Sequence, residues 1–226
     1  PASVGRFVLA PRSGSESAAG GPQARASLLG SFEDVERAYV HGWEAIQRGC
    51  VDLGNNREGA NSYRISLATL KTHEAKGFSG GMIASLSVPW GFDRGDGDLG
   101  GYHVVWPRDL VECAQALLAA GDAEGARRTL FYLMCTQEPD GHWPQNMWLD
   151  GRPYWKGIQS DETAFFILLA DALRRRKELR GPDPWPSIRR AASFLVRSGP
   201  VPEQDRWEEN SGYSTFTLAV GVAALL

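Results

Sequence analysis

From residue 60 to Leu226 two kinds of apolar pattern alternate along the chain. Segments 60–74, 123–136 and 186–198 are amphipathic. In the first, Ile65, Leu67 and Leu70 oppose Arg64, Lys71 and Glu74. In the second, Leu130, Leu133 and Met134 oppose Arg127 and Arg128. In the third, Ile188, Ala191, Ala192, Leu195 and Val196 form a stripe opposite Arg189, Arg190 and Arg197. Between them lie 108–120, 161–173 and 213–226, which are apolar nearly all round. A helix with one polar face borders water, whereas a helix apolar on every side is enclosed. The punctuation agrees with helices: Gly121 follows 108–120 as a C-terminal cap, and Asp122 stands where it can cap 123–136.

This alternation predicts two layers of helices, the amphipathic ones outside and the apolar ones inside. The inner helices begin near 109, 161 and 213, about 52 residues apart, a longer period than the common solenoid repeats. The expected fold class is therefore all-α. Three outer/inner hairpins of this kind make about the first half of an (α/α)6 toroid; an irregular helical domain is the alternative. Upstream, 32–49 reads as a helix with Tyr39, Trp43 and Ile46 on one face. Residues 11–27, rich in Ser, Gly, Ala and Pro, read as a linker, and "GRFVLA" before them as one strand. The expected division is 1–30, the end of an upstream domain (a β-sandwich) plus linker, and 31–226, a partial toroid.

Composition narrows the function classes. The 226 residues are 42% hydrophobic and 23% charged, within the globular range. A net charge of -3 and a pI near 5.9 provide no basic field, which argues against nucleic acid and anionic membrane as partners. The longest apolar stretches, 164–170 and 216–226, are too short to span a bilayer and read as buried helices. Cys50, Cys113 and Cys135 show no metal-ligand spacing, and Cys113 and Cys135 fall inside apolar helical patterns as core cysteines. Asp93, Asp96 and Asp98 in a Gly-rich loop lack the closing glutamate of a calcium loop. No metal and no cofactor is expected. The first residue is Pro1, no signal-peptide pattern is visible, and localisation stays open.

The candidate chemistry sits in the segments that lead into the inner helices, which in a layered toroid open at one end. These are "GYHVVWPRD" (101–109), "WLDGRPYWKGIQSDE" (148–162) and "QDRWEENSGY" (204–213). Each brings at least one Trp and at least one carboxylate. Trp90, Trp106, Trp143, Trp148, Trp155 and Trp207 all lie in loops, where a single indole would be a core plug but six point to a shared rim. Indole faces with Arg, Asp, Gln and Glu match a pyranose, which offers C–H faces and hydroxyls. Candidate sugar contacts are Trp106, Arg108 and Asp109, then Trp155, Gln159 and Asp161, then Asp205, Trp207 and Glu209. Glycosidic cleavage needs one carboxyl kept protonated by apolar or like-charged neighbours. Glu208, between Trp207 and Glu209, meets that requirement.

These stretches, with "SVPWG" (87–91), "WPRDL" (106–110), "DGHWPQNMWLDG" (140–151) and "YWKGIQSDETAF" (154–165), resemble glycoside hydrolase family 15, the glucoamylases, in their bacterial form. The resemblance runs from about Trp43 to Leu226 and implies the (α/α)6 toroid. It also implies exo-acting, inverting hydrolysis of α-1,4-glucosidic bonds from the non-reducing ends of starch-like glucans, with an α-glucan or maltooligosaccharide as partner. On the family's D-x-W-E-E motif Glu208 is the general acid, and Asp205 and Glu209 support it. Arg108 and Asp109 resemble the pair that grips the terminal glucose, and Trp155 the tryptophan that buttresses the acid. Pro107 stands where fungal members have Thr.

The family's general base comes from the junction into the sixth inner helix, whereas this chain reaches the third. The resemblance therefore implies a base and a C-terminal half outside the chain, an isolated chain that is inactive, and a helix 213–226 uncovered on one side. Asp161 and Glu162 are poor stand-ins, because helix capping explains them equally well. Glucodextranase or trehalase specificity on the same fold, or a non-catalytic sugar-binding module, are the competing readings. A scaffold for protein partners leaves the rim of indoles and carboxylates without a purpose.

Overall fold

The computed structural model describes Ala26 and residues 29–52, 60–86, 101–204 and 211–226. The backbone divides into two compact units, Pro1–Gly49 and Cys50–Leu226. In the first unit the described element is α1 (Phe32–Gly49). Its first turn carries Glu33 and Asp34 and its last turn Arg48, signs that complement the helix dipole. The ring of Tyr39 meets that of Trp43 edge-on at 6.3 Å. The strand and linker expected over 1–30 lie almost wholly outside the described residues.

The second unit is built of α2 (Ala60–His73), α3 (Pro107–Ala119), α4 (Ala123–Thr136), α5 (Ser160–Arg175), α6 (Trp185–Ser198) and α7 (Thr215–Leu225). The all-α expectation holds, and so does the layering. Helices α3, α5 and α7 are sequential neighbours in an inner layer, with α5 packed extensively on both others. Helix α4 lies on α3 and α5 from outside, and α6 lies on α5. This is the arrangement of three outer/inner hairpins of an (α/α)6 toroid.

Sequence explains each rank. In α5 every residue from Ser160 to Ile167 is buried, as are Leu169, Ala170 and Leu173, so its first two turns leave no face for water and only its last turn, with Arg174 and Arg175, is exposed. Phe166, Leu169 and Leu173 are wholly enclosed, and each such side chain contributes about 1.5–3 kcal/mol of transfer free energy. Helix α6 buries only Ser187, Ala191, Phe194 and Leu195 along one stripe. The α3–α4 turn forms as its residues dictate. Gly121 adopts φ 93°, a left-handed conformation glycine tolerates, and Asp122 accepts a hydrogen bond from the Gly125 N–H at 2.8 Å. Ion pairs then tie α2 to α4: Glu74 accepts from Arg128 Nε at 2.7 Å and from Lys71 Nζ at 2.9 Å, and Lys71 also reaches Asp122 at 3.2 Å.

Two expectations, for Cys135 and Trp143, are corrected. Helix α7 begins as expected, with Ser214 accepting from the Thr217 N–H, and is uncovered on one side as expected, with only Thr217 buried. It packs mainly on α5, and its other face, with Val222, Leu225 and Leu226, is exposed among the described residues. Cys135 is exposed rather than in the core, because its position on α4 turns away from α3 and α5. Trp143 does not line a rim. It is fully enclosed, donates from Nε1 to the Leu133 carbonyl at 3.1 Å and packs on Phe166 with ring centroids 4.8 Å apart. A loop tryptophan reads alike in sequence whether it plugs the core or faces a ligand.

Candidate active site

A small sheet gathers the first two junctions. Strands β1 (Asn146–Met147) and β2 (Pro153–Trp155) pair antiparallel. Val105 bridges to Met147 on the other edge, the two exchanging backbone hydrogen bonds of 2.8 and 3.0 Å. The hairpin turn is stapled by Asp150, which accepts from Arg152 Nε at 2.7 Å, and by Gly151 at φ 86°. Strands of two and three residues are too short to display an alternating pattern, so the sequence read this region as loop.

The sheet brings Trp106 against Trp155, ring planes 82° apart and centroids 6.3 Å apart. Trp106 ends the first junction as the residue before α3, and Asn146 Oδ1 fixes the Trp155 backbone by accepting its N–H at 2.8 Å. Aromatic contacts run on from both indoles, from Trp106 to Tyr102 at 6.1 Å and from Trp155 to Tyr154 at 5.6 Å. Tyr102, 45% exposed, was not singled out by sequence, although it lies in the first junction.

Beside the indoles, the N-terminal ends of α3 and α5 meet through Arg108. Its Nη1 donates to Gln159 Oε1 at 2.7 Å and to Asp161 Oδ2 at 2.9 Å, and lies 3.6 Å from Glu162 Oε1. Its Nη2 is 3.7 Å from Asp109. Burial alone would lower the pKa of the guanidinium, but Glu162 and Asp161 outweigh it and hold the group above its ordinary value. Arg108 is thus a fixed cation at the end of two inner helices.

Exposure distinguishes the roles. The Asp109 side chain is 54% exposed and can meet a ligand. Gln159 and Asp161, read from sequence as sugar contacts, are both 0% exposed and hold Arg108 instead. Glu162, weighed from sequence only as a stand-in base, is equally enclosed. Asp161 and Glu162 lie too deep to activate a water molecule in an open pocket. In sequence, acids in a helix's first turn look the same whether they cap, face solvent or grip a residue 53 positions away.

Asp205, Trp207, Glu208 and Glu209 lie outside the described residues, as do Trp90 and the loop with Asp93, Asp96 and Asp98. The residues on either side of 205–210 are described. Gln204 lies against the second junction, so close that a Cβ on Gly157 would sit 2.3 Å from its Oε1. On the far side Phe216 meets Phe165 of α5 at 6.1 Å. A cavity of about 910 Å³ lies away from this rim between α5, α6 and the end of α7; Leu168, Ala192 and Leu225 line it with Arg174 and Arg175, and its one carboxylate and one tryptophan are Asp171 and Trp185. Among the described residues no group of His, Cys, Asp and Glu could hold a metal ion, and no helix is long and apolar enough to cross a membrane.

Comparison with known proteins places this geometry. The family model for glycosyl hydrolases family 15 matches residues 59–140 and 140–226. The chain is 43% identical over 201 residues to a glucoamylase from Clostridium sp. (strain G0005), covering 88% of this chain and 27% of that protein. It is 30% identical over 130 residues to an uncharacterized glycosyl hydrolase from Methanocaldococcus jannaschii, covering 55% of this chain and 21% of that protein. Its structure aligns with the crystal structure of a bacterial glucoamylase complexed with acarbose at a TM-score of 0.79 and 37% identity, over 92% of this chain and 30% of that one. The chain spans under a third of the length of these relatives.

Proposed function

Since the chain belongs to glycosyl hydrolases family 15, we propose that it forms part of an exo-acting, inverting glucoamylase. The enzyme removes glucose from the non-reducing ends of α-1,4-glucans and releases it as the β-anomer. The observation that carries this reading is the Arg108 hub. A guanidinium held rigidly by Gln159 and Asp161 stands beside the accessible Asp109 carboxylate and the Trp106–Trp155 pair. That set offers a sugar what it needs, an apolar wall for its C–H face and a charged donor and acceptor for its hydroxyls.

In this reading Glu208 protonates the leaving oxygen, Trp207 and Glu209 raise its pKa, and Asp205 orients it. Support comes from the flanks, because Gln204 and Phe216 both border the end of α5 that carries Arg108's partners. Asp161 and Glu162 are enclosed and so poorly placed to act as the general base. Because the chain spans under a third of the length of its relatives, the base is to be sought in the full-length protein. The test is glucose release from maltotriose by the full-length protein, with isomaltotriose and trehalose as comparison substrates. Maltotriose should be preferred, and Glu208→Gln should lower its turnover by about 10²–10⁴. Retention of wild-type turnover by that variant would refute the assignment.

A further inference from the structure

Arg108 carries more acid than a single ion pair requires. Gln159 and Asp161 already accept from its Nη1, at 2.7 and 2.9 Å, yet Glu162 is buried 3.6 Å from the same nitrogen and Asp109 stands 3.7 Å from Nη2. Dipole complementarity explains why a first-turn carboxylate is ionised, but an exposed one would serve the dipole equally well. Glu162 is instead fully enclosed, at the desolvation cost that enclosing a charge entails.

A guanidinium fork is the side chain best suited to capture carboxylates and phosphates. At a sugar site that property is a hazard, because an oxidised or phosphorylated sugar would fit the same space. The two kinds of ligand respond to different features. A hydroxyl accepts a hydrogen bond from whichever N–H is nearest, a short-range contact that survives neutralisation. An anion responds to the net charge of the surroundings, which falls off slowly in a site shielded from water. We infer that Glu162 is a specificity-determining residue. Asp161 alone offsets the single positive charge of Arg108, and Glu162, with Asp109, leaves the cluster net negative, so the rim accepts neutral hexoses and rejects sugars bearing a carboxylate or phosphate. The inference rests on the glucan reading of this site and adds to it the residue that gives the cluster its negative surplus.

Calorimetric titration of the full-length protein with glucose and with glucuronate at neutral pH tests it. The wild type should bind glucuronate at least roughly tenfold more weakly than glucose. Glu162→Gln, which keeps the shape and removes the charge, should raise the glucuronate-to-glucose affinity ratio by about tenfold. Glu162→Asp should restore the wild-type ratio. Should Glu162→Gln not fold, Asp161→Asn removes one charge from the same cluster and should move the ratio in the same direction. An unchanged ratio in a folded neutral variant, or equal binding of both sugars by the wild type, would overturn the inference. Failure of the wild type to bind glucose at all would instead overturn the glucan reading beneath it.

Discussion

Replacing Arg108 with Met tests whether the hub is an electrostatic centre or merely a packed one. The substitution keeps the length of the buried stem and removes the guanidinium. The bonds to Gln159 at 2.7 Å and to Asp161 at 2.9 Å are lost. The larger effect is what remains: Asp161 and Glu162, both 0% exposed, lose the cation that offsets their desolvation. Removing one partner of a buried ion pair typically costs about 3–5 kcal/mol. For a unit the size of Cys50–Leu226, that corresponds to a fall in Tm of roughly 6–20 °C. A second substitution separates stranded charge from lost packing. If the penalty is electrostatic, Arg108→Met combined with Asp161→Asn should recover at least about 1 kcal/mol relative to Arg108→Met alone, because one enclosed charge is gone. Urea unfolding of the wild type, Arg108→Met, Asp161→Asn and the double variant, followed by circular dichroism with unchanged m-values, provides the measurement. Additive effects in the double variant, or a loss below about 1 kcal/mol for Arg108→Met, would refute the reasoning.

Two further stability predictions concern the frame around the site. Burial pushes the Glu74 carboxyl up, but its bonds to Arg128 and Lys71 outweigh burial and hold it at about 2, below its ordinary 4.5. A depressed folded pKa stabilises above the unfolded value, so this contribution, of order 3 kcal/mol, is complete above about pH 4.5 and is lost as pH falls toward about 2. Glu74→Gln should flatten the stability profile across that window, and an unaltered acid limb in urea titrations would contradict it. Gly141 adopts φ 110°, and a Cβ there would sit 2.3 Å from the Arg190 carbonyl oxygen. Gly141→Ala should therefore cost about 2 kcal/mol or more in thermal unfolding, whereas a neutral result would show that the α4–β1 turn yields easily.

The layered fold was legible because burial on one side and burial on all sides leave different patterns. The apolar faces of 161–173 could only mean enclosure, and Leu169 and Leu173 are enclosed. Turn chemistry was legible for the same local reason, as at Gly121 and Asp122, where conformation follows from the residue itself. Partnership across the chain was not. Nothing near residue 161 announces that its carboxylate reaches Arg108, so Gln159 and Asp161 read as sugar contacts although they hold the arginine from beneath. Trp143 and Trp155 read alike, yet one packs on Phe166 in the core and the other meets Trp106 at the rim. The Val105–Met147–Trp155 sheet escaped notice because its strands are too short to carry a period.

The stereochemistry of the first product tests the account most directly. Two carboxyl groups that act on opposite faces of the sugar, one as acid and one activating water, invert the anomeric carbon. Proton NMR of the full-length protein acting on maltotriose, recorded before mutarotation equilibrates the anomers, should show β-glucose accumulating first. Initial accumulation of α-glucose would contradict the account, because it would require a nucleophile where we place only an acid and a grip on the sugar.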